Sequence, residues 1–239
     1  MKPNRAYWTE KLKVAHKAWA RLRPDDKIRD KSASGRQFSF FAYRPVDHSA
    51  KYRMLVTGDD ISSGWTLNVR LGFADLTPAA LEAAVTDLDR SEFALFDVVV
   101  RLAADALVSR SVAWSLDVLP FDVSDEELAL RLATYSQKID RLCETFGGYD
   151  IEAFQSLAKW CLRHRAIIGY QTIGGMGPVC AALEYGDRPL AIELLREVEK
   201  GWEENLEREP DRPLVRELYA RWRGHCARAR RLMDLPVPD

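Results

Sequence analysis

The nine residues WTLNVRLGF at positions 65–73 constrain the fold of this chain more than any other stretch. Trp65, Leu67, Val69, Leu71 and Phe73 alternate with Thr66, Asn68, Arg70 and Gly72. A period of two puts one face on a core and the other toward water, so the segment reads as a strand. Two earlier runs, RQFSFFAYR (36–44) and KYRMLVT (51–57), are rich in aromatic and branched residues and are bounded by Pro45 and by Gly58-Asp59-Asp60. Short polar connections between the three runs predict an antiparallel meander.

The segments around these strands read differently. Asn4 can cap a first helix whose apolar stripe is Trp8, Leu12, Ala15, Trp19 and Leu22, with Lys11, Lys13, Lys17 and Arg21 largely off it. Pro24 ends that helix, and the polar stretch 25–35 predicts a mobile loop. Thr77 and Pro78 open a further helix. Ser91 can cap another along Phe93, Phe96, Val100, Ala103 and Leu107, although FDVVV within it reads equally as a strand. SVAWSLDVLP (111–120) alternates again, with Val112, Trp114, Leu116 and Val118 on one side. Ser124 and Glu127 form a capping box for a helix to Gly147, and Asp150 opens another to about Arg165. A helix pair spans 180–201, and a last helix runs from about Pro213 to Met233. Strands early and helices late define an α+β protein: an N-terminal helix and small antiparallel sheet, then a helical bundle. The expected division is 1–120 and 121–239, which one continuous domain could also span.

The chemistry open to the chain is narrowed by what it contains. Its 239 residues are 47% hydrophobic and 30% charged, which is ordinary for a soluble globular protein. MKPNRAYWTEKLK lacks the apolar core of a signal peptide. The uncharged run from Ala166 to Leu183 is too broken by glycine and proline to span a bilayer. Cys143, Cys161, Cys180 and Cys226 form no CxxC, which predicts reduced, mostly buried thiols and a cytoplasmic location. Net charge is −1 but uneven: residues 1–53 carry 14 Lys/Arg against 5 Asp/Glu, and residues 54–157 carry 7 against 18. A basic segment beside an acidic one can attract within the fold or, if exposed, bind an anionic partner.

Four places are candidate sites. The Gly-rich stretch 169–180 could bring Tyr170, Gln171, Gly174 and Gly175 against a small ligand, with Pro178 starting a helix behind it. It lacks the lysine of a phosphate loop, and a packed connection explains it as well. Cys161, His164, His225 and Cys226 are metal-capable residue types. Adjacent helical residues point about 100° apart, however, so buried structural cysteines are the expectation and no metal or cofactor is assigned. No nucleophile motif is present, and no catalytic residue is assigned. His48 beside Asp47 would join Asp59 and Asp60 only if loops 45–51 and 58–63 met at one end of the sheet. The last helix carries Arg216, Arg223 and Arg230 at intervals of seven, with Arg221, Arg228 and Arg231 beside them. Its opposite stripe is Leu214, Leu218, Trp222, Cys226, Ala229 and Leu232. Six arginines exceed what a helix dipole needs. They suit an acidic protein partner, a nucleic acid, or the acidic residues Glu193, Glu197 and Glu204 of the same chain.

Two resemblances add to this reading. Gly186-Asp187, Ala191, Leu195 and Val198 resemble the second half of a tetratricopeptide unit. Val179 and Ala182 depart from that pattern, and Glu152 and Ala220 stand where copies 34 residues away would need glycine. A lone helical hairpin at a bundle corner follows. GWTLNVRLGF, IDRLCETFGGYDIEAF and ALEYGDRPLAIELL are together similar to small bacterial α+β proteins, including immunity proteins of toxin–antitoxin systems. That resemblance implies a non-enzymatic protein-binding role, with toxin inhibition as its particular form. The alternatives are a small-ligand binder or enzyme using 169–178, and a nucleic-acid-binding accessory protein.

Overall fold

The computed structural model describes residues 3–46, 51–74, 95–96, 117–163, 176, 179, 182–183 and 187–237. In chain order the elements are α1 (Arg5–Leu22), β1 (Lys27–Ala33), β2 (Gln37–Pro45), β3 (Lys51–Ile61), β4 (Gly64–Ala74), β5 (Leu95–Phe96) and β6 (Asp117–Leu119). Helices α2 (Asp125–Thr145), α3 (Ile151–Arg163), α4 (Arg188–Arg208) and α5 (Pro213–Leu232) follow. The α+β class holds, with helix and antiparallel sheet first and helices after. Contacts divide the described residues into two units: 3–74 with 117–157, and 95–96 with 158–163 and 176–237.

The first unit is built on the meander. Strands β1 to β4 pair antiparallel in sequence order, and β6 pairs with β4. Their inward residues are Phe38, Phe40 and Ala42, then Tyr52, Met54 and Val56, then Trp65, Leu67, Val69 and Leu71, all buried. Helix α1 lays Trp8, Ala15 and Trp19 on this face. The Trp8 ring meets Phe38 at 6.2 Å and Trp65 at 5.8 Å, and Trp19 meets Phe40 at 6.3 Å. Leu12 is only half-buried, and Leu22 is 40% exposed. The expected caps on described residues form: Tyr7 N–H donates to Asn4 Oδ1 (3.0 Å), Glu127 N–H to Ser124 Oγ (3.1 Å) and Ala153 N–H to Asp150 Oδ1 (2.8 Å), whereas Thr77 and Ser91 lie outside the described residues.

Three expectations are corrected. Residues 27–33 are not a loop but the strand β1, which is exposed nearly throughout and held by its ladder to β2. Its side chains carry no apolar alternation because backbone pairing, not burial, holds it. Lys27, Arg29, Lys31 and a register shift near Asp30 (φ 51) are features that keep an edge strand from pairing further. Gly58-Asp59-Asp60 does not end β3, which runs on to Ile61 before a two-residue turn to Gly64. A Cβ at Gly58 would lie 2.3 Å from Phe38 Cε1 and 2.8 Å from Trp65 Cζ3, so the glycine makes room for two rings rather than breaking the strand. Consequently Lys51 and Ile61 stand at opposite ends of an 11-residue strand; residues 47–50, His48 among them, lie outside the described residues. In β6 the faces are reversed. Leu119 pairs with Trp65 and is buried, whereas Val118 is 45% exposed. Cross-strand partners share a face, so Trp65 fixes Leu119 inward.

The second unit contains α4 and α5. Asp187 caps α4, accepting from Leu190 N–H at 3.3 Å, and it also pairs with Arg163. Leu190, Ala191, Leu194, Leu195 and Val198 are the buried stripe of α4. Gly186 and the helices expected at 78–89 and 92–109 lie outside the described residues, except that Leu95–Phe96 is extended.

Candidate functional site

Helices α4 and α5 pack as a hairpin and leave a groove between them. Continuing the α4 stripe by four residues from Val198 brings Trp202 to the interface, where it stacks on Trp222 of α5 (centroids 5.5 Å apart, planes 22°). A cavity of about 350 Å³ opens beside this pair, lined by Glu199, Glu203, Tyr219, Arg223, Cys226, Ala227, Arg230 and Val237 as well. The buried residues of α5 are Trp222, His225, Cys226 and Ala229. The expected stripe is therefore right at its centre, but Leu214 (52%) and Leu232 (39%) are exposed and His225 is inside.

The three arginines expected to bind a partner occupy different environments. Arg230 is half-buried and forked onto Glu199, with Nε–Oε1 2.6 Å and Nη2–Oε2 2.7 Å, while its Nη1 donates to the Pro236 carbonyl at 2.9 Å. Glu199, rather than Glu193, Glu197 or Glu204, is thus the acidic residue of α4 that meets Arg230. Arg216 is 61% exposed and bonds locally to Asp211 (3.0 Å) and the Pro210 carbonyl (2.5 Å). Arg223 is exposed at the rim of the groove. Tyr170, Gln171, Gly174 and Gly175 lie outside the described residues, as do His164 and Cys180.

Cys226 and His225 on this hairpin are held neutral. Burial and the nearby Glu199 carboxylate push the Cys226 thiol up to about 12. Burial, then Arg221 and Arg228, lower His225 to about 4. Its ring lies 5.3 Å from Trp222. Cys143, Cys161 and Cys226 are buried, and among the described residues no disulfide forms and no three His, Cys, Asp or Glu are grouped to hold a metal ion. The groove can therefore hold an apolar group beside the stacked indoles and bond a carbonyl through Arg230. Sequence reading missed Trp202, Tyr219, Glu199, Glu203 and Val237. Only Trp202 carried a signal, its spacing from Val198.

His225 makes acid sensitivity a property of this unit. A base whose pKa is lower folded than unfolded contributes stability above its unfolded value, about 6.5, and loses it as pH falls through 6.5 toward 4. Each pKa unit is about 1.4 kcal/mol, so about 2–3 kcal/mol should disappear over that window. Urea melts at pH 7, 5.5 and 4.5 should show the loss, and His225→Gln should flatten it. An unchanged pH slope in His225→Gln would assign the acid sensitivity to carboxylates instead.

Comparison with known protein families, with curated proteins and with solved structures finds no match to this chain. Among the described residues no helix is long and apolar enough to cross a membrane.

Proposed function

We propose that this chain is a non-enzymatic protein that binds another protein through the exposed side of α5, with an acidic partner surface facing Arg216 and Arg223. The observation that carries this reading is the pair itself: two exposed arginines seven residues apart on one helix face, of which Arg223 stands at the rim of an aromatic groove. The protonated, buried Cys226 and neutral His225 support binding rather than nucleophilic chemistry there. Toxin inhibition of the immunity type is the particular form that the sequence resemblance favours. Thiols at Cys143, Cys161 and Cys226, with no disulfide among the described residues, support a reducing, cytoplasmic setting.

The experiment pairs capture of partner proteins, identified by mass spectrometry, with binding of a generic DNA duplex and a generic single strand. Parent and Arg216→Glu/Arg223→Glu chains are compared at low and moderate salt. Arg230 is left intact, because reversing it would set two carboxylates against each other beside Glu199. The expected result is an acidic protein captured by the parent, released by salt and lost in the variant, because exposed charges are screened within about 10 Å at 0.1 M. Micromolar nucleic-acid binding abolished by the double change would replace this reading with a nucleic-acid one. Equal capture by both chains would make the arginines a solvated face.

A further inference from the structure

Residues 234–237 reveal what the α4–α5 groove accepts. Asp234 leaves α5 with φ 49, and Leu235 N–H donates back to the Arg230 carbonyl at 2.8 Å, turning the chain along the hairpin. The Pro236 carbonyl then accepts from Arg230 Nη1 (2.9 Å), and Val237 forms one wall of the cavity with Trp202 and Trp222. One main-chain bond and one apolar side chain in a pocket are the two ingredients of extended-peptide recognition. Arg230 is already oriented for this by its fork on Glu199, so the carbonyl bond requires no rearrangement. Yet Val237 lines the cavity without filling it: about 350 Å³ remains beside a side chain that is 37% exposed. That volume lies within the roughly 300–1,000 Å³ of small-molecule and cofactor pockets.

We infer that the groove is a docking site for an extended segment of the partner protein, and that residues 234–237 occupy it in cis as a stand-in. The segment offers a backbone carbonyl to Arg230 and an aliphatic or aromatic side chain, larger than valine, to Trp202 and Trp222. Acidic residues on the side of Arg223 and Arg216 complete the match in charge. This assignment rests on the reading that the chain binds a protein.

The probe is a fluorescein-labelled peptide of residues 233–239, MDLPVPD, together with its Val→Phe form. Both are titrated by anisotropy into the full chain, into Val237→Asp and into Val237→Asp/Trp202→Ala. A tethered segment competes at an effective concentration of about 1 mM, so the parent binds weakly. Val237→Asp should bind at least about tenfold tighter, the Phe peptide tighter than the Val peptide, and the added Trp202→Ala should remove the gain. Val237→Ser gives the same comparison should the aspartate perturb folding, as checked by circular dichroism. Equal binding to parent and opened chains, or none up to about 1 mM, overturns the docking site. Displacement of a small apolar dye without any peptide binding also overturns it, in favour of a small-molecule pocket. If the peptide fails while Arg216→Glu/Arg223→Glu still loses the captured protein, only the groove assignment falls. If the peptide binds while no acidic protein is captured, the groove stands and the acidic-partner reading falls.

Discussion

Arg23→Ala is expected to cost the first unit about 3–5 kcal/mol, because it strands a carboxylate away from water. Arg23 follows the last turn of α1, is 2% exposed and distributes its guanidinium over helix α2 and the connections before β1 and after α2. Nε bonds Asp26 Oδ2 at 2.9 Å, Nη1 bonds Asp140 at 2.7 Å and Ser136 Oγ at 3.3 Å, and Nη2 donates to the Tyr149 hydroxyl at 2.8 Å. That hydroxyl donates in turn to Asp140. The Asp26 side chain is fully buried and accepts Trp19 Nε1–H at 3.1 Å. Without Arg23 its nearest cation is Arg44, 3.8 Å away. Burial already pushes the Asp26 carboxyl up, and Arg23 is the chief opposing charge. The deficit of the variant should therefore shrink on acidification, as Asp26 takes a proton. Arg23→Met/Asp26→Leu should recover most of the loss, since replacing a buried pair by apolar groups removes the stranded charge. Urea melts at pH 7 and pH 5 decide it, and a loss below about 1 kcal/mol would mean that the pair is effectively solvated.

That network was invisible in the sequence, and the reason is physical. Arg23, Asp26, Asp140 and Tyr149 are polar letters in polar stretches, and nothing local says that α1 ends over α2. The strands β2 to β4 were legible because burial on one face imprints a period of two. The cores of α1, α4 and α5 were legible because burial imprints steps of three and four. Where backbone pairing alone holds an element, as in β1, no imprint exists. Gly58 misled for a related reason. A glycine reads as a break, yet here it marks the close approach of Phe38 and Trp65. At the candidate site the sequence supplied the arginines of α5. It could not show that Arg230 is spent on Glu199 and Pro236, which depends on how α4, α5 and the residues after α5 come together. The Trp202–Trp222 stack was half legible, through spacing on each helix but not through their pairing.

Trp65→Ala should destabilise the first unit by about 3–5 kcal/mol, the cost of removing a large buried ring whose cavity cannot collapse. Trp65 is fully buried and touches three separate parts of the unit. Its ring lies 5.8 Å from Trp8 of α1, edge-on, and 5.8 Å from Phe38 of β2, and its Nε1–H donates to the Pro120 carbonyl at 3.2 Å. Gly58 is shaped to it, with its Cζ3 only 2.8 Å from where a Cβ would sit, so the residue beneath the ring has no side chain to swing into the space. Losing the indole also leaves the Pro120 carbonyl without that donor, which adds to the cavity cost. Val118→Ala on β6 is the matched control. It lies on the outward face next to Leu119, and the change should stay within about 0.5 kcal/mol. Chemical denaturation of both variants, at constant m-value, separates the faces. Equal losses at Trp65 and Val118 would mean that the register of β6 on β4 is shifted by one residue, because a one-residue slip exchanges every inward and outward side chain.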